Sequence, residues 1–119
     1  MKSLYTSANQ YLTILVEETD NALVLKWSGK STSLYPSEFL NPIFEEALAT
    51  HKKIIMNFYR LDFVTSSTIT PLIKLLEKIK NDGSWQLELQ YDSSVDWQNL
   101  TFSALGVFTE CDRIQIKGL

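Results

Sequence analysis

The sequence predicts an α/β domain: a mixed β-sheet with an N-terminal hairpin and helices packed over it. Three observations predict it. Apolar runs of strand character alternate with runs of helical period through the second half, at 54–64, 69–79, 85–91 and 95–105. Two strand-like segments near the start flank only Glu18-Thr19-Asp20-Asn21, a turn composition that reads as a hairpin. The length of 119 residues with 45% hydrophobic and 21% charged content suits one domain with its own core, residues 1–119.

Taken in order, Met1 to Gln10 predicts a flexible arm. Tyr11 to Glu17 alternates, with Leu12, Ile14 and Val16 on the predicted core side. In Ala22 to Trp27, the face formed by Leu23, Leu25 and Trp27 is wholly apolar, and Lys26 marks the watery one. Ser28 to Ser33 reads as a loop. Its Gly29-Lys30-Ser31 triplet lacks the upstream glycine of a phosphate-binding loop and is read as a chance match. A helix follows from Tyr35-Pro36 or Ser37 to about Thr50, burying Phe39, Leu40, Ile43, Phe44 and Leu48. Pro42 inside it predicts an irregular first turn or a start near Asn41.

The central strand carries Ile54, Ile55, Met56, Phe58, Leu61, Phe63 and Val64. Four consecutive hydroxyl residues follow, Thr65, Ser66, Ser67 and Thr68. A helical stripe then runs through Ile69, Leu72, Ile73, Leu76 and Ile79 to the Asp82-Gly83 stop. Pro71 lacks an N–H and suits a first turn, which predicts a cap between Ser67 and Thr70. Trp85 to Tyr91 alternates strictly, so Gln86, Glu88 and Gln90 are expected on a partly exposed face. Val95 to Leu105 predicts a helix with a stripe of Trp97, Leu100, Ala104 and Leu105, and Arg113 to Lys117 a last strand. The predicted order is β-β-α-β-α-β-α-β, whose strand–helix–strand units require crossover connections.

Several function classes find no support. The net charge of −3 and pI near 5.1 offer no basic field for nucleic acid. No apolar run approaches the roughly 20 residues of a membrane span, the N-terminus is too polar for a signal peptide, and the lone Cys111 fits a reducing cytoplasm. His51 is the only histidine, so nucleophile–base pairs have one possible base. Glu110 and Asp112 beside Cys111 disfavour a thiolate. No ligand spacing suggests a metal or cofactor, and catalysis is not expected. Trp27, Trp85 and Trp97 read as partly buried packing residues, and Tyr35, Phe39 and Tyr91 read as core aromatics with a partner surface as the open alternative for all three.

The hydroxyl run has two readings. Ser and Thr oxygens cap the free N–H groups of a helix start, and Thr65 to Ser67 suit that duty. The same position suits a phosphorylation switch, because a phosphoryl group gains from the helix dipole while adding roughly two negative charges to a docking surface.

The stretch LDFVTSSTITPLIKLLEKIKNDGSWQLELQ resembles the core of STAS domains, the fold of bacterial anti-sigma factor antagonists. Leu61, Asp62 and Phe63 match the family's strand end, and Ser66 and Ser67 its D-S-S-G serines. Thr65 and Thr68 stand where an acidic residue and a glycine are usual. The chain is also similar to STAS-like regulators of diguanylate cyclases that are phosphorylated on threonine. Their N-T-S-S turn matches Thr65-Ser66-Ser67, with Val64 for the Asn, and Gly29, Tyr35, Pro36, Glu38 and Phe39 resemble their first helix start.

The resemblance implies partner switching. The unmodified form docks a serine/threonine kinase of the anti-sigma type, phosphorylation releases it, and a cognate phosphatase resets it. Ser66 is the implied phosphosite on the first pattern and Thr65 on the second, with Ser67 beside them. Tyr35, Asp62, Thr68 and Lys74 are the candidate partner-contacting residues. Alternatives are an activator of a diguanylate cyclase in biofilm signalling, or a constitutive scaffold that has lost the switch, with Thr68 in the glycine position narrowing access for a kinase.

Overall fold

The computed structural model describes residues 2–119. Six strands form one sheet in sequence order: β1 (Lys2–Thr6), β2 (Leu12–Glu18), β3 (Ala22–Ser31), β4 (Lys53–Val64), β5 (Leu87–Tyr91) and β6 (Ile114–Gly118). The first three pair antiparallel, and β3 to β6 run parallel. The crossovers are α1 (Pro36–Ala49), α2 (Ser66–Asn81) and α3 (Asp96–Ser103), the last continued by a 3-10 helix, Ala104–Glu110.

All three helices pack on one face of the sheet. Leu12 and Ile14, then Leu25 and Trp27, then Ile54, Met56 and Phe58, then Leu87 and Leu89 point to that face at the two-residue period of a strand and are buried. Trp27 lies against Phe44 of α1 and Phe58, with ring centroids 6.2 and 5.1 Å away. Phe58 stacks on Phe102 of α3 at 4.4 Å. Burying one such side chain contributes about 2–3 kcal/mol. The opposite face carries no helix, so Leu4, Leu15, Val24, Ile55 and Tyr59 share it with charged side chains.

The predicted order holds, with one strand added in front. The expected arm of residues 1–10 is instead largely β1 and its turn; Met1 lies outside the described residues. β1 is held because Tyr5 turns toward the helices and its hydroxyl donates to Glu46 Oε2 at 2.8 Å. The buried Ser7 closes the turn, its N–H donating to the Leu12 carbonyl and its Oγ accepting from the Leu12 N–H.

The expected loop at 28–33 is also mostly strand, since β3 runs on to Ser31. It does so through a bulge at Gly29, whose φ of +91° and close neighbour, the Tyr11 carbonyl, exclude a Cβ. α1 starts at Pro36 and contains Pro42; the carbonyl that Pro42 leaves without an N–H belongs to the exposed Glu38.

Glu88 corrects another expectation. It lies on the helix-free face, yet it is 5% exposed, because Lys53 and Lys117 from the flanking strands both reach its Oε1 at 3.2 Å. Burial pushes its carboxyl up, but hydrogen bonds from Gln90, Lys53 and Lys117 outweigh this and hold it below the usual value of 4.5. A depressed folded-state pKa stabilises above the unfolded value, and the benefit is lost as pH falls through the folded one. Glu88→Gln is therefore expected to lose about 1 kcal/mol at neutral pH, where Lys53 and Lys117 would repel unscreened. The gap to the wild type should close in acid, as read by urea denaturation between neutral pH and pH of about 3.

α3 is rotated from its predicted stripe. Leu100 is 76% exposed and Ala104 is exposed too, while Phe102 and the polar Gln98 are fully buried. The Gln98 amide donates to the carbonyls of Phe58 (2.7 Å) and Leu61 (3.0 Å), and its Oε1 accepts from the Asp92 N–H at 2.8 Å. These bonds fix the rotation, because a buried amide is tolerated only when satisfied.

Candidate functional site

The hydroxyl run lies where β4 ends and α2 begins. Val64 pairs with Ser31 at the last register position of β3, and the Thr65 N–H donates to the Ser31 carbonyl at 3.1 Å. Thr65, in extended conformation, is the N-cap residue of α2, upstream of the expected Ser67–Thr70 window. Pro71 consequently falls in the second turn.

Thr68 explains the difference. It is fully buried, its Oγ1 is 2.6 Å from the buried Ser31 Oγ, and it lies 3.4 Å from Thr65 Oγ1. Its backbone N–H donates to the Thr65 carbonyl at 3.0 Å. The hydroxyl pair ties the first turn of α2 to the end of β3, and the cap position follows from that tie. Thr68 thus has no surface to offer a partner, in contrast to the expectation from sequence. Turned inward, it does not narrow access to the turn either, which removes the physical reason given for a lost switch.

Ser66 and Ser67 are the first two residues of α2 and are exposed. No hydrogen bond to another described residue engages either hydroxyl, and no acidic side chain occupies the helix's first turn. The positive end of the helix dipole and the free N–H groups are therefore available to an anion there. Thr65 differs: it is half-buried, with its backbone engaged on both sides.

Of the expected contact residues, the structure brings two to this turn. Tyr35 and Lys74 line a cleft of about 300 Å³ together with Ser67, Thr70 and Asn41. Tyr35 is 68% exposed and its neighbour Leu34 81%, so both stand clear of the core. On the other side Tyr35 borders a second cleft, of about 410 Å³, shared with Ser31, Lys30 and Phe39. Asp62 is exposed near the end of β4, outside the lining of the first cleft. Tyr91 is buried and Phe39 half-buried, as core aromatics. His51, exposed with a φ of +55° after the end of α1, stacks on Trp85 with ring planes 7° apart.

Sequence reasoning missed Ser31 and Gln98. Ser31 appeared only inside the Gly-Lys-Ser triplet, and nothing local reveals that it meets Thr68 thirty-seven positions on.

No family model matches the chain, and no curated protein matches it in sequence. Solved structures do match in fold. An anti-sigma factor antagonist from Mycobacterium paratuberculosis superposes with a TM-score of 0.65 at 16% identity, covering 86% of this chain and 85% of that one. An uncharacterized protein with a SpoIIAA-like fold from Shewanella loihica gives 0.57 at 19% identity, covering 89% and 84%. With its single mixed sheet and three helices, this chain has the STAS-like, SpoIIAA-type fold.

Proposed function

We propose that the protein is a bacterial cytoplasmic regulator of the anti-sigma factor antagonist type, acting by phosphorylation-controlled binding to other proteins and catalysing no reaction itself. The observation that carries this reading is the pair of exposed, unengaged hydroxyls at Ser66 and Ser67 in the first turn of α2. A kinase needs a hydroxyl it can reach without unfolding the segment, and these two qualify. Ser66 is the preferred acceptor, since it also matches the family's phosphoserine. Ser67 is second, beside Lys74 and Tyr35 in the shared cleft. Phosphorylating Thr65 would disturb its contact with Thr68, which places it third.

The unmodified turn, with Tyr35, Lys74 and Asp62 around it, docks a serine/threonine kinase of the anti-sigma type. A dianion at the centre of that surface must be desolvated or repelled on docking, at a cost of roughly several kcal/mol, and a phosphatase restores binding. A second reading is supported by Tyr35 and Ser67 lining one cleft: the partner there is a diguanylate cyclase, placing the protein in biofilm and cyclic-di-GMP signalling.

Phosphosite mapping of the protein from its own cells tests the switch. A species heavier by about 80 Da, modified at Ser66 or Ser67 and abolished by the double alanine variant, is expected. An unmodified mass under every growth condition would overturn the switch and leave a constitutive scaffold.

A further inference from the structure

We propose that the helix-free face of the sheet holds, at a bulge in β4, a docking site for an acidic segment of a partner protein. Arg60 and Lys26 receive its carboxylates, and Tyr59 packs against its apolar side chains. This site is separate from the phosphorylation turn and does not depend on it.

The bulge is an expensive local construction. Lys26 pairs with Asn57 and Ser28 with Arg60, so β4 advances three residues where β3 advances two. Phe58 and Leu61 both turn to the core, at 0% and 2% exposed, and the two residues between them, Tyr59 and Arg60, are both exposed. In a regular strand adjacent side chains take opposite faces. Here the irregularity frees an aromatic ring and a guanidinium side by side. The buried Gln98 holds it from within, through the Phe58 and Leu61 carbonyls. Asn57 holds it from the open side, its Oδ1 accepting from the Tyr59 N–H at 3.1 Å. A regular β4 would need no buried amide, and bulges recur where a side chain must be re-aimed.

What the bulge presents is a cleft of about 400 Å³ lined by Leu15, Lys26, Ser28, Asn57, Tyr59 and Arg60. Around it the charges do not cancel. Lys2, Lys26, Lys53, Arg60 and Lys117 outnumber the carboxylates Glu17, Asp62, Glu88 and Asp92, five to four. Glu17 is shared by Lys2 and Lys26 and Glu88 by Lys53 and Lys117, so each of these trios keeps one positive charge, while Asp92 accepts from the Ser94 N–H and hydroxyl. Arg60 has no ion-pair partner among the described residues, so its guanidinium is available to a carboxylate in bidentate geometry.

The positive face sits on a chain whose net charge is −3, which disfavours a polyanion such as nucleic acid that would meet the whole molecule's field. A lipid surface needs its cations at one level, whereas this cleft is recessed enough to admit a side chain. Charge complementarity and the Tyr59–Leu15 floor therefore favour an acidic polypeptide with aromatic or aliphatic neighbours.

The probe is a short fluorescein-labelled peptide alternating glutamate with tyrosine, titrated with the full chain and read by anisotropy in low-salt buffer. The wild type is expected to bind it, Arg60→Glu and Lys26→Glu each to weaken binding about ten-fold, and Lys80→Glu, exposed near the end of α2, to leave it unchanged. Amide shifts on binding should centre on Lys26, Tyr59 and Arg60 in a nitrogen-15 spectrum. Equal binding by wild type and Arg60→Glu overturns the site. So does stronger binding to a single-stranded oligodeoxynucleotide or to phosphatidylglycerol vesicles. Both exchanged residues are exposed, so circular dichroism is expected to show the variants folded. Because the phosphorylation turn is untouched in both, failure here leaves the proposed switch standing.

Discussion

Gln98→Leu is expected to lower stability by about 4 kcal/mol and the melting temperature by more than about 10 °C. Leucine nearly matches the volume, so packing is not what is lost. Two carbonyls in the β4 bulge and the Asp92 N–H lose the amide that serves them in a dry environment. Leaving such a group unpaired costs about 1–3 kcal/mol. Gln98→Glu separates this from a packing effect. A carboxylate there faces two carbonyl oxygens, so burial and repulsion raise its folded-state pKa. The native form then binds more protons than the unfolded chain, and stability should fall as pH rises through the acid range into neutrality. Thermal denaturation followed by circular dichroism reads both variants; a Glu variant with a flat pH profile would contradict the assigned bonds.

Gly29→Ala is expected to cost about 3 kcal/mol or more. An alanine Cβ at this position would overlap the Tyr11 carbonyl oxygen, and at a φ of +91° the backbone itself resists a side chain. The obstacle is main chain of the neighbouring strand, so relief must come from shifting β2 against β3. That shift breaks the Lys30 N–H bond to the Tyr11 carbonyl, 2.8 Å in the native structure, and moves Ser31 next door. Ser31 carries both bonds that position the start of α2. Amide exchange should therefore accelerate at Thr65 and Thr68 as well as at Lys30. An alanine variant as stable as the wild type would show that the bulge tolerates a side chain.

Most of the fold was legible because its signals are periodic and local. Leu23, Leu25 and Trp27, and Leu72, Leu76 and Ile79, announce strand and helix by spacing alone, and their burial follows from it. Three kinds of information were not local. β1 has little alternation of its own and is ordered by pairing with β2 and by the Tyr5–Glu46 bond across forty-one positions. Glu88 reads as a solvent residue because its two lysines lie on other strands. Gln98 reads as the polar side of α3 because the carbonyls it serves are out of sequence reach. For the candidate site, the Ser66-Ser67 pair and its place at a helix start were visible, since hydroxyls before a helical stripe are a chain-level signal. The inward turn of Thr68 was not, because it depends on Ser31.

The sheet's strand order, β1 through β6 without a permutation, has a consequence for how the molecule assembles. Each strand docks beside the one made just before it, so the sheet can grow vectorially during synthesis, and no strand waits for a later one to be inserted between its neighbours. The exception is inside β4. Its carbonyls at Phe58 and Leu61 wait for Gln98, forty and thirty-seven residues downstream. Until α3 leaves the ribosome, the middle strand is in place but its kink is unsealed, and the chain's commitment to its final shape comes late, when one amide closes it.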